Sequence, residues 1–412
     1  MSSIVMPPFG PLKNSERTIL NIQSFVTGLA LLLVSLGNAM FSKKAVVLFF
    51  VLNLFLMIWY ANYTIFTRFF NWVSIFALLA WCGLSYTWSQ FPQDTLDGFY
   101  WQCVFVFTVL LFGILSGRLN VELVVKNAFI AALVLNVAYI LLFPGASLSE
   151  NGLRSMYYTK NSLGFVCAYA FLMLVFLNQP RRIDYIFAAI AVFLLLLSLS
   201  KTSMALVVVV SILLLAKNYC FGRGRIFFPQ DSYLLIVLAT LLVTALLIAG
   251  ISFFYKEILN YVFLNLDSHA LTGRGQIWIE LLRNAESKIV YGLGFNAVWG
   301  MDHLNEIYLT ELGRNNPLWA TKLAAADGGY VDVVVAIGLV GLVVLGLVVV
   351  QLFLNILRSQ YVNIGLVVLA VVLIHNLTET TFLMGFNLNW FLLMFVAGLA
   401  LSRSSSAEAA YE

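Results

Sequence analysis

Residues Ala324–Gly341 read AAADGGYVDVVVAIGLVG, and the reading of this stretch decides the fold. Three alanines, an aspartate and two glycines lead into an apolar segment that runs on past Leu345. The composition changes there from that of a water-exposed loop to that of a bilayer-spanning helix. Asp327 stands at the boundary and has two readings. It caps the helix that follows, since Asp is a preferred N-cap, or it takes a proton during chemistry at the membrane surface. The whole chain repeats the apolar character. Of 412 residues, 62% are hydrophobic and 10% charged, with a mean hydropathy of +0.94. A soluble surface cannot carry that apolar fraction. Runs of roughly 17–25 apolar residues match the hydrocarbon thickness of a bilayer. The sequence therefore predicts an all-α polytopic membrane protein, with residues 1–412 forming a single integral membrane domain.

About twelve transmembrane helices are expected, centred near Leu31, Leu54, Leu79, Val109, Leu133, Tyr169, Ala191, Val209, Thr240, Leu345, Val368 and Phe395. The first apolar run is too long for a signal peptide and reads as a retained helix. The seventh and eighth spans are separated only by SLSKTS (Ser198–Ser203), which predicts a tight helical hairpin. Residues 255–327 contain no spanning run and are expected to form one large loop between spans 9 and 10, built from short amphipathic pieces. Lys and Arg bias sets orientation. With the N-terminus cytoplasmic, eleven basic residues fall on the cytoplasmic side, against five (Lys43, Lys44, Arg154, Lys160 and Lys201) in the short opposite loops. Both termini are then cytoplasmic, and the large loop faces the periplasm or exterior. The four cysteines have no CxxC spacing, so neither a disulfide framework nor a zinc site is indicated. A scattered net charge of +4 gives no footprint for nucleic acid.

Arg154, Lys160 and Lys201 sit against the topological bias, and Arg274 lies in the large loop. Cations in such positions are costly near a membrane unless they meet an anion. Snorkelling to lipid headgroups explains any one of them; four together point to an anionic ligand at the outer leaflet. In MYYTKNSLG (Met156–Gly164), Lys160 and Asn161 fall in the first turn of the sixth span, where free N–H groups favour anions, although Thr159 or Asn161 also reads as an ordinary N-cap. The hydroxyls around Lys201 either satisfy a tight turn or join the lysine at a diphosphate oxygen. In ALTGRGQIWIELLRN (Ala270–Asn284), Thr272 reads as an N-cap, while Ile277, Trp278, Leu281 and Leu282 recur at helical spacing. That puts Arg274 in the first turn, where a cation opposes the dipole and a planar fork suits a diphosphate. IVYGLGFNAVWG (Ile289–Gly300) offers aromatic faces either for sugar packing or as interface anchors. In IHNLTETTF (Ile374–Phe382), His375 and Glu379 are four apart, expected on one helix face. A carboxylate at membrane depth is a functional candidate, with pairing to Lys201, Arg274 or His375 as the structural alternative. No P-loop, DxD metal site or Rossmann glycine pattern appears, so the substrate is expected to be lipid-linked rather than a nucleotide sugar.

The ordered segments LTGRGQIW, YGLGFNAVW and DGGYVDVVVAIGLVG, with YTKNSLG, SLSKTS and NLTET, resemble the O-antigen ligase and Wzy-type polymerase superfamily. The ExoQ-like exopolysaccharide polymerases look most similar. The resemblance spans roughly Arg154 to Trp390. It implies a GT-C-like glycosyltransferase that needs no metal or other cofactor. Its donor would be an undecaprenyl-diphosphate-linked glycan, used at the periplasmic face of the inner membrane. Its partners would be that donor, a glycan acceptor and membrane lipids, with a flippase and a chain-length regulator nearby. Arg274 matches the loop arginine implicated in diphosphate binding, and Lys160 and Lys201 match basic positions in the earlier motifs. Where the family usually reads His-Asn-x-Tyr, this chain has Asp327, Gly328, Gly329 and Tyr330. Asp327 thus stands where the family's proposed base is expected. His303 is 24 residues upstream, and the role is not transferred to it. Asp327, Arg274 and Glu379 are the expected catalytic residues. Arg154, Lys160, Asn161, Lys201, Tyr330 and His375 are expected to bind substrate. A ligase joining O-antigen to lipid A-core differs only in acceptor; a lipid-linked oligosaccharide flippase or transporter is the alternative of another class.

Overall fold

A long apolar run in a bilayer finds no water for its backbone, so it must satisfy its own N–H and C=O groups as a helix. The computed structural model describes residues 14–37, 43–60, 72–149, 152–178, 180–221, 260–261, 274–299, 314 and 323–402. The expected ninth span around Thr240, the candidate cap Thr272 and His303 lie outside these residues. The described helices longer than one turn are α1 (Asn14–Ser35), α2 (Lys43–Tyr60), α3 (Val73–Leu84), α4 (Pro92–Ser116), α5 (Val121–Leu142), α6 (Lys160–Phe176), α7 (Arg182–Ser198), α8 (Lys201–Phe221), α9 (Arg274–Ala285), α10 (Gly329–Arg358), α11 (Val362–His375) and α12 (Leu388–Leu401). Sheet among the described residues is confined to the hairpin β1 (Leu148–Ser149) and β2 (Gly152–Leu153). Every expected span centre except Thr240 falls inside one of these helices. Among the described residues, five helices are long and apolar enough to cross a membrane: Thr18–Ser35 and those at Pro92–Ser116, Val121–Leu142, Lys201–Tyr219 and Gly329–Arg358. Shorter apolar helices accompany them, including α6, α11 and α12. The protein is all-α and membrane-embedded.

The helices pack as neighbours in chain order and across it: α6 lies along α7, α4 along α12, α1 on α5, and α10 on α3. The α4–α12 contact is close because Gly113 and Gly398 face each other. A Cβ on Gly113 would meet the Phe395 carbonyl oxygen at 2.2 Å. Small residues at such a crossing let two backbones approach, as is usual in membranes. Large apolar side chains such as Phe25, Leu141, Phe193 and Ile212 remain exposed on the outer faces of the bundle, as lipid contact requires. At one end a polar layer joins the chain reversals. Lys126 reaches Asp184 at 3.2 Å and the Asn178 carbonyl at 2.9 Å, Asn363 donates to Asn178 at 2.9 Å, and Lys217 donates to Asn363 at 3.2 Å.

α10 is not continuous. Gly338 has φ 76° and ψ −180°, a conformation essentially restricted to glycine, and it interrupts the helix after nine residues. An interruption at membrane depth must re-satisfy the groups it frees, and residues 289–294 do this. Leu293 and Gly294 N–H donate to the Val335 and Ala336 carbonyls at 2.9 Å each. Leu339 and Val340 N–H donate to the Ile289 and Val290 carbonyls at 3.0 and 3.1 Å. The Trp81 indole takes the Ile337 carbonyl at 2.8 Å. The YGLGFNAVW segment is therefore a backbone patch on a broken helix. Its glycines serve that docking: a Cβ on Gly292 would meet the Ala336 carbonyl oxygen at 2.5 Å. α9 packs behind it through a satellite core of Ile277, Leu281, Ala285, Ile289, Leu293, Val298, Ala326 and Val335. Helical spacing in the sequence had marked Ile277 and Leu281 for this apolar face.

Gly338→Ala should destabilise the protein by about 2 kcal/mol, because strained φ/ψ costs about 1–3 kcal/mol and the new Cβ would meet the Val290 carbonyl oxygen at 2.3 Å. Gly346→Ala, with nothing within 4 Å, should be neutral or gain about 0.5–1 kcal/mol. Thermal unfolding of the detergent-solubilised protein measures both.

Candidate functional site

Helix starts gather at one place. α6 begins at Lys160 behind its N-cap Thr159, whose hydroxyl accepts from Ser162 N–H at 3.2 Å. α8 begins at Lys201, α9 at Arg274 and α10 at Gly329. The segment that leaves α11 at Asn376 ties these starts together. The Asn376 side-chain oxygen accepts from Thr381 and Phe382 N–H at 2.9 and 3.0 Å, which stops the helix and turns the chain back. The helix therefore ends at His375, and the shared helix face expected for His375 and Glu379 does not exist. Glu379 instead points to Arg274, whose Nη2 donates to Glu379 Oε1 at 2.9 Å. The Asn161 amide donates to the same oxygen at 3.2 Å, and Ser200 Oγ donates to Asn161 Oδ1 at 3.2 Å. Asp327 Oδ2 lies 3.7 Å from Arg274 Nε, an ion pair without a hydrogen bond.

Asp327 is not the cap of α10. Gly328 occupies that position, and no side chain bonds across it. Asp327 has φ 50°, a left-handed conformation that Asp tolerates better than most residues, and its side chain is 44% exposed. The two glycines after it provide room. A Cβ on Gly328 would meet the Trp278 indole at 2.7 Å, and one on Gly329 would meet Asn376 Oδ1 at 2.0 Å. The backbone at this entry is held by a different aspartate. Asp332 is buried and accepts from Trp299 Nε1 at 2.8 Å, Ala326 N–H at 2.9 Å and the Thr380 hydroxyl. Thr380 Oγ1 in turn accepts from Gly328 N–H at 3.1 Å. Trp278 Nε1 donates to the Ala326 carbonyl at 2.8 Å, so α9 is pinned to the same turn.

Sequence reasoning passed over Asp332, although an ionisable residue inside an apolar run is a signal in its own right. Thr380, Asn376 and Ser200 carried no comparable signal.

Of the remaining expected binding residues, Lys201 is exposed at the start of α8, directly after Ser200. The turn before it is closed by its hydroxyls, with Ser198 Oγ accepting from Ser200 N–H at 3.3 Å. Arg154 Nε donates to the Ala146 carbonyl at 3.1 Å, within the α5–α6 connection. Tyr330 is tied to α11, its hydroxyl donating to the Leu373 carbonyl at 3.0 Å and its ring edge-on to Phe382. His375 is buried beneath the site, its ring against Phe165 and its Nδ1 3.2 Å from the Asn389 amide.

The electrostatics of the group follow from burial and one guanidinium. Burial pushes the carboxyl groups of both Asp327 and Glu379 above their ordinary pKa, while the Arg274 charge opposes the rise. Two carboxylates face one arginine, and the starts of α6, α8, α9 and α10 add positive dipole ends, each worth about half a charge. The chain matches no protein-family model and no curated protein sequence.

Asp327→Asn should leave thermal stability within about 1 kcal/mol of the wild type, since no capping bond is lost, the pair with Arg274 has no hydrogen bond, and Glu379 still faces the guanidinium. Asp332→Ala should cost about 3 kcal/mol or more, because it strands three donors, two of them buried. Differential scanning fluorimetry in detergent reads both.

Proposed function

We propose that this protein is a polysaccharide polymerase of the bacterial inner membrane, a GT-C-like glycosyltransferase with about twelve spans and its active site at the periplasmic face. It would lengthen a glycan carried on undecaprenyl diphosphate. The observation that carries this reading is the convergence of Arg274, Glu379, Asp327 and Asn161 from four chain segments onto a point where four helix N-termini meet. Such a point favours a diphosphate. The order of the sequence motifs that resemble O-antigen polymerases and ligases adds to it.

The chemistry divides between the groups. A sugar hydroxyl of the acceptor attacks the anomeric carbon of the donor, and the bond from that carbon to the diphosphate oxygen breaks. Charge grows on the leaving diphosphate, so cations matter more there than an acid. Arg274 supplies a planar fork, and Lys160 and Lys201 add point charges at their helix starts. The attacking hydroxyl must lose its proton, and Asp327 is the carboxylate with exposure to receive it. Glu379 is held by both Arg274 and Asn161, so it orients the guanidinium rather than serving as the base. Attack opposite the leaving group inverts the anomeric centre.

The break in α10 bears on the transporter alternative. Interrupted helices in transporters present their free backbone groups to a substrate. Here the Val335, Ala336 and Ile337 carbonyls and the Leu339 and Val340 N–H groups are bonded within the protein.

Purified protein given a radiolabelled lipid-linked repeat unit should produce longer glycans. Arg274→Ala should abolish lengthening while folded protein persists, and Asp327→Asn should slow it by about 10²-fold or more. Products formed only on lipid A-core would favour a ligase, and translocation of unchanged substrate would remove both enzyme readings. Lengthening needs deprotonated Asp327, so the rate should fall as pH drops through its raised pKa. The acid limb should therefore lie above the ordinary aspartate value of about 3.9. A pH–rate profile with its limb at or below that value would remove Asp327 as the base.

A further inference from the structure

A cleft of about 350 Å³ opens on the other side of the Glu379–Thr380 step, near the low end of the range of about 300–1,000 Å³ typical of small-molecule sites. Consecutive residues divide the two places: Glu379 pairs with Arg274, whereas Thr380 lines the cleft with Asp332. A ligand in the cleft would therefore lie beside the reacting groups.

The lining has the chemistry of carbohydrate recognition. Trp101, Trp299 and Phe382 supply flat apolar faces, and Asp97, Asn296 and Asp332 supply acceptors and an amide. Trp299 is fixed in orientation by its bond to Asp332 Oδ1 at 2.8 Å. That carboxylate already accepts three hydrogen bonds, and a carboxylate has about four acceptor positions, so one remains for a hydroxyl donor. Lys43 sits over the Trp101 ring at 4.9 Å from its centre. Against two aspartates this single cation leaves the cleft net negative, which disfavours phosphate and acidic sugars.

We propose that this cleft is a saccharide subsite for an uncharged sugar of the acceptor glycan, stacked on Trp101 and Trp299 and hydrogen-bonded by Asp97 and Asp332. The role as acceptor subsite rests on the polymerase reading; the binding itself does not. Held there, the acceptor lies against Thr380, whose hydroxyl accepts from the N–H of Gly328, the residue after Asp327.

The test titrates the full-length protein in detergent with lactose, maltose, cellobiose and chitobiose, and with digalacturonate as an acidic control, by saturation-transfer NMR. At least one neutral disaccharide should bind saturably, and more tightly than digalacturonate. Trp101→Ala and the exposed-site variant Asp97→Asn should each weaken it by about tenfold, equivalent to about 1.4 kcal/mol. Arg274→Ala should bind as the wild type does. The proposal is overturned if no neutral disaccharide saturates, if digalacturonate binds better, or if neither Trp101→Ala nor Asp97→Asn weakens binding. Absence of glycan lengthening by the wild type would remove the polymerase reading alone, leaving the subsite to these titrations. Lengthening with an acceptor KM unchanged in both cleft variants would remove the subsite and leave the enzyme.

Discussion

The break in α10 at Gly338 is the constraint on which the rest of the site depends. A bilayer does not tolerate unpaired backbone groups, so an interrupted helix must be matched by a segment that bonds to it. Residues 289–294 and Trp81 provide that match, and they fix where the large-loop segment lies. α9 follows because its apolar face packs on the same half of α10. Arg274, the first residue of α9, is thereby held next to Asp327, just before α10. A regular helix from Gly329 to Arg358 would offer the loop no backbone partners, leaving the Trp278–Ala326 bond and the Glu379 pair to hold the arginine without that support.

Two aspartates five residues apart divide the work at the entry to α10. Asp332 is buried and accepts from three donors, so it holds the backbone turn and orients Trp299. Asp327 bonds to no backbone group at the cap and stays accessible. Relieved of capping, its carboxylate faces Arg274 instead. The conversion comes from packing: Gly328 must lie against the Trp278 indole, its N–H goes to Thr380, and the Gly329 N–H goes to the Asn376 and Glu379 carbonyls rather than to Asp327.

Glu379 shows why like charges are tolerated here. It shares Arg274 with Asp327, and burial raises the pKa of both carboxyl groups while the guanidinium restrains the rise. Four helix N-termini around them supply the remaining positive potential. The result is a concentration of charge at one end of an otherwise apolar bundle. A second polar layer, with Lys126, Asp184 and Lys217, sits among the chain reversals at α5–α8 and α11.

The sequence by itself determined the helices. Apolar runs in a bilayer have no alternative to helical hydrogen bonding, so the helices around every expected centre but Thr240, the Ser198–Ser203 hairpin and the apolar face of α9 were legible from composition and period. Thr159 as a cap was also legible, and Arg274, Asp327, Asn161 and Glu379, all singled out in the sequence, lie together in the structure. What only the tertiary structure decided is how those groups pair. Asp327 as a cap, and His375 beside Glu379 on one helix face, both followed from local spacing and both gave way to long-range contacts. Asn376 ended α11 with its own side chain, Thr380 and Asp332 took over the turn, and Gly338 broke a helix that its sequence alone would continue. Local spacing encodes a helix because its hydrogen bonds span four residues. The site is built from contacts such as Ser200–Asn161 and Asn161–Glu379, 39 and 218 positions apart, and no periodicity records those.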